Sequence, residues 1–204
     1  MTEPNPAKLN LKRIRLALWV LVALAAALVA VVMTWPRHHA AERAGQSSFG
    51  GPFILTAGDG RPFSSEKLAG KPYAIYFGFT RCGDVCPTTL SRLVKLRREA
   101  ANDAAMRIVF VTIDPEHDGP KEVGQYASMF NAPIIGLTGS SAQIDEVKKQ
   151  FGIFAQPSPH AAMDKQMEHS AMVLLFDRNG RFVTTIGPGE SDSSALDKLK
   201  RLAG

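Results

Sequence analysis

Tyr73-Ala74-Ile75-Tyr76-Phe77-Gly78-Phe79-Thr80-Arg81-Cys82-Gly83-Asp84-Val85-Cys86-Pro87-Thr88 joins two kinds of secondary structure. Its first half is apolar, aromatic and β-branched, which predicts a buried strand over Tyr73–Phe79. Its second half predicts a helix running to about Ala101. Pro87 suits a first helical position, because its missing N–H would be unpaired there anyway. Leu90, Leu93 and Val94 then recur at helical spacing. The two cysteines of the chain therefore fall in one strand-to-helix turn. A helix N-terminus carries partial positive charge, which favours thiolate over thiol. A nucleophile and a metal ligand both need a thiolate.

The flanking segments extend the same alternation. Phe53-Ile54-Leu55 followed by Asp59-Gly60 reads as a short strand and turn, and Arg107–Ile113 as a second long strand. Pro120 opens a helix to about Phe130, and Ile134–Thr138 is a short strand. Ser140 and Gln143 have capping-box spacing, and Ile144, Val147 and Phe151 line one face of the helix they open. Met172–Phe176 and Phe182–Ile186 flank Asn179-Gly180, a strong hairpin signal, and residues 191–202 form a last helix. Strand–helix alternation closed by an antiparallel hairpin and a helix predicts an α/β, thioredoxin-like domain, with a central mixed sheet flanked by helices. The C-terminal ends of such strands are where α/β sheets place their sites, and the cysteines sit at one of them.

Residues 16–36 carry no charge and are mostly Leu, Val and Ala. At about 1.5 Å per residue the run covers roughly 30 Å, enough to cross a bilayer. Lys8, Lys12, Arg13 and Arg15 precede it, and Arg37 and Arg43 lie beyond it. This bias keeps the N-terminus cytoplasmic and exports the chain beyond Trp35. A cleavable signal peptide is the competing reading, but its apolar core is usually only about 7–15 residues. The expected organisation is a cytoplasmic tail (1–15), a single N-terminal transmembrane helix (16–35), a polar tether (36–48) and one exported domain (49–204). Of the net charge of +5, the first 35 residues supply +3 with four basic residues and one acid. The exported part is almost neutral, so basicity reports topology and gives no support to nucleic-acid binding.

Three uses of the thiols compete. A structural pair is a poor fit to a tight turn with Gly83 and Asp84. Dithiol–disulfide exchange usually employs Cys-x-x-Cys, and three intervening residues weaken that reading. Two thiolates four residues apart can also converge on one metal ion, but a third ligand is then needed. His38, His39, His117, His160 and His169 are available, and His169 stands at the entrance of the strand predicted from Ala171. Two thiolates and an imidazole suit copper, especially Cu(I). A structural zinc would want four ligands.

Gly50–Thr56, Tyr76–Pro87, Val111–Pro115, Ile135–Gly139 and Glu168-His169-Ser170 together resemble, in order and spacing, the Sco/SenC family. The resemblance covers essentially the whole exported domain. It implies a membrane-tethered thioredoxin-like protein that binds copper, as Cu(I) or Cu(II), and helps assemble the binuclear copper site of cytochrome c oxidase. It implies Cys82, Cys86 and His169 as ligands, with Asp84 and Asp114 lining the site without binding metal. A redox-active Cys82–Cys86 disulfide, a copper-site subunit of the oxidase as acceptor, and a thiol reductant or other copper carrier as partner belong to the same reading. Arg81 and Gly83 stand where the family commonly has His and Pro, and Glu168 where it usually has Asp. Arg81 is expected to add positive charge beside the thiols. Taken alone, Asp84 reads as a cap on local backbone N–H groups, and Met163 and Met167 as loop residues. The alternative from another class is a thiol–disulfide oxidoreductase that keeps the oxidase's copper-site cysteines reduced. A peroxidase is disfavoured, because Gly83 stands where a peroxidatic cysteine wants a hydroxyl donor.

Overall fold

The computed structural model describes residues 11–34, 49–100, 106–157, 167–169 and 171–203, with the backbone alone at 11–13, 27–34, 156–157, 167–169 and 203. The chain divides into two compact units, Met1–Ser47 and Ser48–Gly204. The first contributes one helix, α1 (Leu11–Thr34), on which Leu16, Trp19, Leu21 and Leu24 are exposed. Its side chains are described only from Ile14 to Ala26, and no helix among the described residues is long and apolar enough to cross a membrane. Trp35, the tether and its histidines His38 and His39 lie outside the described residues.

The second unit is built on a seven-stranded sheet. Its strands are β1 (Ile54–Ala57), β2 (Pro62–Ser64), β3 (Tyr73–Gly78), β4 (Arg107–Thr112), β5 (Ile134–Thr138), β8 (Val173–Phe176) and β9 (Phe182–Ile186), in the order β2-β1-β5-β4-β3-β8-β9. β6 (Ala155–Pro157) and β7 (Met167–His169) form a separate antiparallel ribbon. The helices are α2 (Val85–Glu99), α3 (Pro120–Ser128), α4 (Ser141–Gln150) and α5 (Asp192–Ala203). β3 pairs parallel with β4, and β4 with β5, while β8, β9 and β1 join antiparallel. This is the mixed sheet flanked by helices that the sequence predicts.

Chemistry explains the layering. Every residue of β3 is buried, and so are five of the six in β4, as strands covered on both faces require. Phe151, just after α4, packs against Phe53, Phe77 and Phe176, with ring centroids 5.8, 5.5 and 5.7 Å away. Burying each such ring contributes about 1.5–3 kcal/mol. Arg92 of α2 reaches Asp192 of α5 at 2.7 Å and fastens the last helix. The capping box before α4 forms in both directions, with Gln143 N–H donating to Ser140 Oγ and Ser140 N–H to Gln143 Oε1.

Two local expectations change, and the hairpin gains detail. α2 starts at Val85, so Pro87 is its third residue; the missing N–H still falls among the unpaired donors of a first turn. In the β8–β9 hairpin, Gly180 N–H donates to the Asp177 carbonyl at 3.0 Å and Gly180 takes φ 74°. Asn179-Gly180 therefore occupies the end of a three-residue loop, with Asp177 Oδ1 accepting the N–H groups of Asn179 and Arg181. Finally, His169 ends β7 and pairs with Ala155; it does not lead directly into β8, which begins at Val173.

Candidate metal and dithiol site

β3 ends at Gly78, and the chain turns through Thr80 and Arg81 into Cys82 before α2 begins. Cys82 is half-buried, Cys86 is fully buried in the first turn of α2, and the two are not joined in a disulfide. Asp84 is the residue before the helix, but its side chain makes no cap to the backbone, contrary to the sequence expectation. It accepts from the Thr88 hydroxyl at 3.2 Å instead. The Cys82 sulfur takes the capping place: the Cys86 N–H donates to it at 3.3 Å. The helix N-terminus thus acts on Cys82, as a first-turn amide donor aimed at sulfur.

Cys86 departs from the expectation of two activated thiols. The adjoining Cys82 sulfur and then burial push its thiol well above the ordinary value. The Phe79 backbone amide and Tyr76 pull the other way without overcoming them. Tyr76, itself fully buried, is raised by burial and then by Cys86. The two sulfurs are therefore unequal: one at the mouth on an amide, the other sealed beneath it.

Gly78 makes that seal possible. A Cβ there would lie 2.9 Å from Cys86 Sγ, 3.1 Å from Tyr76 Cε1 and 3.2 Å from Phe110 Cε2. Gly78→Ala must displace sulfur or rings in a core with no slack, which costs about 1–3 kcal/mol. We expect a lowered thermal midpoint together with faster alkylation of Cys86 in the folded protein. A midpoint and alkylation rate equal to the parent's would show that Gly78 is not needed for this packing.

Arg81 does not add a free charge beside the thiols. Its guanidinium lies 2.7 Å from Asp114 Oδ2, and His117 Nδ1 lies 2.8 Å from Oδ1. Burial works against the Asp114 carboxylate, but His117 and Arg81 hold it below the usual carboxylate value. Asp114 is thereby engaged by a neighbouring cation and a histidine. Sequence reasoning passed over His117 as a site residue, and also Asp118, Tyr76 and Tyr126. The Tyr126 hydroxyl is buried with no hydrogen-bond partner among the described residues, and burial, then Cys86 and Cys82, raise it. Only the spacing of Asp114 and His117 in one short loop offered a signal.

His169 is described by its backbone. Val173 pairs with Tyr76 and Phe176 with Tyr73, so β8 enters the sheet at the end where β3 delivers Cys82. His169 precedes that entrance by four residues, a reach of about 13 Å of extended chain. Among the described residues no group of three or more His, Cys, Asp or Glu is arranged to hold a metal. His160, Met163 and Ser170 lie outside the described residues, and Met167 begins β7.

The SCO1/SenC family model matches residues 41–204. The chain belongs to the SCO1/SenC family. It is 36% identical over 160 residues to "Protein SCO2, mitochondrial" of Saccharomyces cerevisiae, covering 76% of this chain and 53% of the relative, about half its length. An SCO2-like protein of Rickettsia prowazekii is 36% identical over 137 residues, covering 66% of this chain and 67% of the relative. Among solved structures, ScoI of Bradyrhizobium japonicum with copper bound superposes with a TM-score of 0.68 at 36% identity. That match covers 76% of this chain and 99% of the other.

Proposed function

We propose that this chain is a membrane-anchored copper chaperone. It binds one copper ion through Cys82, Cys86 and His169 and helps assemble the binuclear copper site of cytochrome c oxidase. The observation that carries the reading is the cysteine turn, with two sulfurs at one strand end and Cys82 Sγ seated on the Cys86 amide at 3.3 Å. The donor chemistry fits: two soft sulfurs and an imidazole suit copper in either oxidation state, and three ligands leave a position through which the ion can be passed on. The copper-bound relative supports the same reading. Asp84 and Asp114 stand around the site without binding the ion. The partners are the copper-site subunit of the oxidase as acceptor and a thiol reductant or another copper carrier as supplier.

Copper stoichiometry of the detergent-solubilised chain under reducing conditions tests this. We expect one ion per chain, and for His169→Ala an affinity lowered about a hundredfold or more, in line with the sensitivity of metal sites to their ligand geometry. Unchanged affinity in His169→Ala removes the histidine from the site.

A second reading is favoured by the inequality of the sulfurs: an accessible Cys82 over a sealed Cys86 is an arrangement suited to dithiol exchange. A reductase acting on the oxidase's copper-site cysteines would support assembly equally well with or without His169. Oxidase assembly that depends on His169 selects the chaperone.

The anchor is residues 16–35, with the tail 1–15 cytoplasmic and the 49–204 domain on the outer face behind the 36–48 tether. The support is the uncharged run and the basic residues ahead of it. Intact-mass analysis of membrane-extracted protein is expected to return the whole chain; a product beginning near Ala30 would refute anchoring.

A further inference from the structure

The connection from β4 to α3 carries two carboxylates that grip consecutive residues just ahead of Cys82. Asp114 holds the Arg81 guanidinium at 2.7 Å. Asp118, four residues on, accepts from the Thr80 backbone N–H at 2.9 Å and from the Thr80 hydroxyl at 2.5 Å. The two grips differ in setting. The Arg81 side chain is nearly half exposed, whereas Asp118 is fully buried.

Asp118 does more than satisfy one neighbour. Its Oδ2 also accepts from the Thr112 hydroxyl at 2.6 Å, and its backbone carbonyl accepts from the Thr138 hydroxyl at 2.7 Å. Its own N–H donates to the Asp114 carbonyl at 3.0 Å. Thr112 ends β4, Thr138 ends β5, and Thr80 lies just beyond β3. One side chain and its backbone thus tie the outgoing ends of three adjacent strands. A buried carboxylate is costly unless it is well hydrogen-bonded. A carboxylate supplies two acceptor oxygens on one carbon, which reach Thr80 twice and Thr112 once.

We propose that Asp118 is a positioning residue for Cys82. By fixing the backbone and hydroxyl of Thr80, it holds the turn that seats the Cys82 sulfur on the Cys86 amide. The inference rests on the reading that the cysteine pair is the working site. Position matters there because a disulfide closes only when the two Cα atoms lie within about 4.4–6.8 Å. A turn released from β4 and β5 samples wider separations and closes less often.

The test is the equilibrium of the full detergent-solubilised chain with glutathione, without copper. In that exchange the Cys82 and Cys86 thiols form one S–S bond. They give up two electrons and two protons, and one glutathione disulfide becomes two glutathione thiols. Asp118→Ala is expected to lower the closing constant about tenfold, a shift of about 30 mV for two electrons. Asp118→Asn keeps an oxygen for the Thr80 amide, and Thr80→Val keeps the amide but loses the hydroxyl. Each removes the bond that the Thr80 hydroxyl donates to Asp118 and is expected to lower the constant about threefold. Ile144→Val, in the core under α4, serves as the control that lowers the thermal midpoint and leaves the closing constant unchanged.

A parental constant in Asp118→Ala, or an equal shift in Ile144→Val, overturns the proposal and makes Asp118 a purely structural residue. If Asp118→Ala does not fold, Thr80→Val decides, and an unchanged constant there is fatal. The readout needs no metal. A chain that binds no copper but shows the shift defeats the copper reading alone, and one that binds copper without the shift defeats this one alone.

Discussion

The double variant Cys82→Ser/Cys86→Ser is expected to bind no copper under reducing conditions, where the parent chain is expected to hold one ion. The substitution exchanges sulfur for oxygen with little change of volume, so the fold is expected to survive it. Cys86 sits fully buried beside Gly78 and Tyr76, where a smaller hydroxyl fits. What is lost is donor chemistry. A serine hydroxyl stays protonated and hard, and copper, above all Cu(I), selects soft thiolate. With Cu(II) the parent should also show a strong thiolate-to-copper charge-transfer band that vanishes in the variant. Equilibrium dialysis with metal analysis, alongside circular dichroism to confirm folding, reads the result. A folded double variant that retains the parent's stoichiometry places the ion elsewhere.

The fold was legible because its signals are local and strong. Tyr73–Phe79 reads as a buried strand from its residues alone, and β3 confirms it to within one position. Ser140 and Gln143 announce a helix start that forms as a reciprocal cap. The β6–β7 ribbon was not legible. Its strands are three residues each, too short for an alternation to show, and they hold by pairing with one another although nine residues separate them in sequence. The hairpin between β8 and β9 was legible from Asn179-Gly180, though not the form of its loop. Asn179-Gly180 permits two loop lengths, and the Asp177 carboxylate, bonded to the N–H groups of Asn179 and Arg181, favours the longer one.

At the site the sequence supplied the sulfurs and not their surroundings. A helix start after Cys82 suggested two activated thiols. The inequality between them arises from the adjoining Cys82 sulfur and then from burial, which depends on Gly78 leaving room for Cys86 beneath the turn. Arg81 looked like a free cation because its partner Asp114 is 33 residues away in sequence. Asp118 gave no warning at all, since an Asp in a loop is ordinarily solvated and this one is fully buried on threonines from two strand ends.

Oxidising the Cys82–Cys86 pair to a disulfide is expected to abolish copper binding as completely as replacing it. A disulfide offers no thiolate, and His169 alone leaves too few donors for a tight site. The two sulfurs lie within one turn and are not yet joined, so closure needs only a local movement. Metal loading is then linked to redox state, and in the oxidising compartment proposed for this domain some partner must keep the pair reduced or deliver copper first. The same chemistry fixes the effect of pH on the reduced protein. The Cys86 thiol is raised above its ordinary value, so it holds its proton through the neutral range and releases it when metal binds. Apparent affinity should therefore climb with pH, by about tenfold per unit for each proton released. Titrating fully oxidised, thiol-free protein with copper in both oxidation states settles the redox link. Tight one-to-one binding equal to that of the reduced form would mean that the thiolates are not the ligands, and the chaperone mechanism would fall with them.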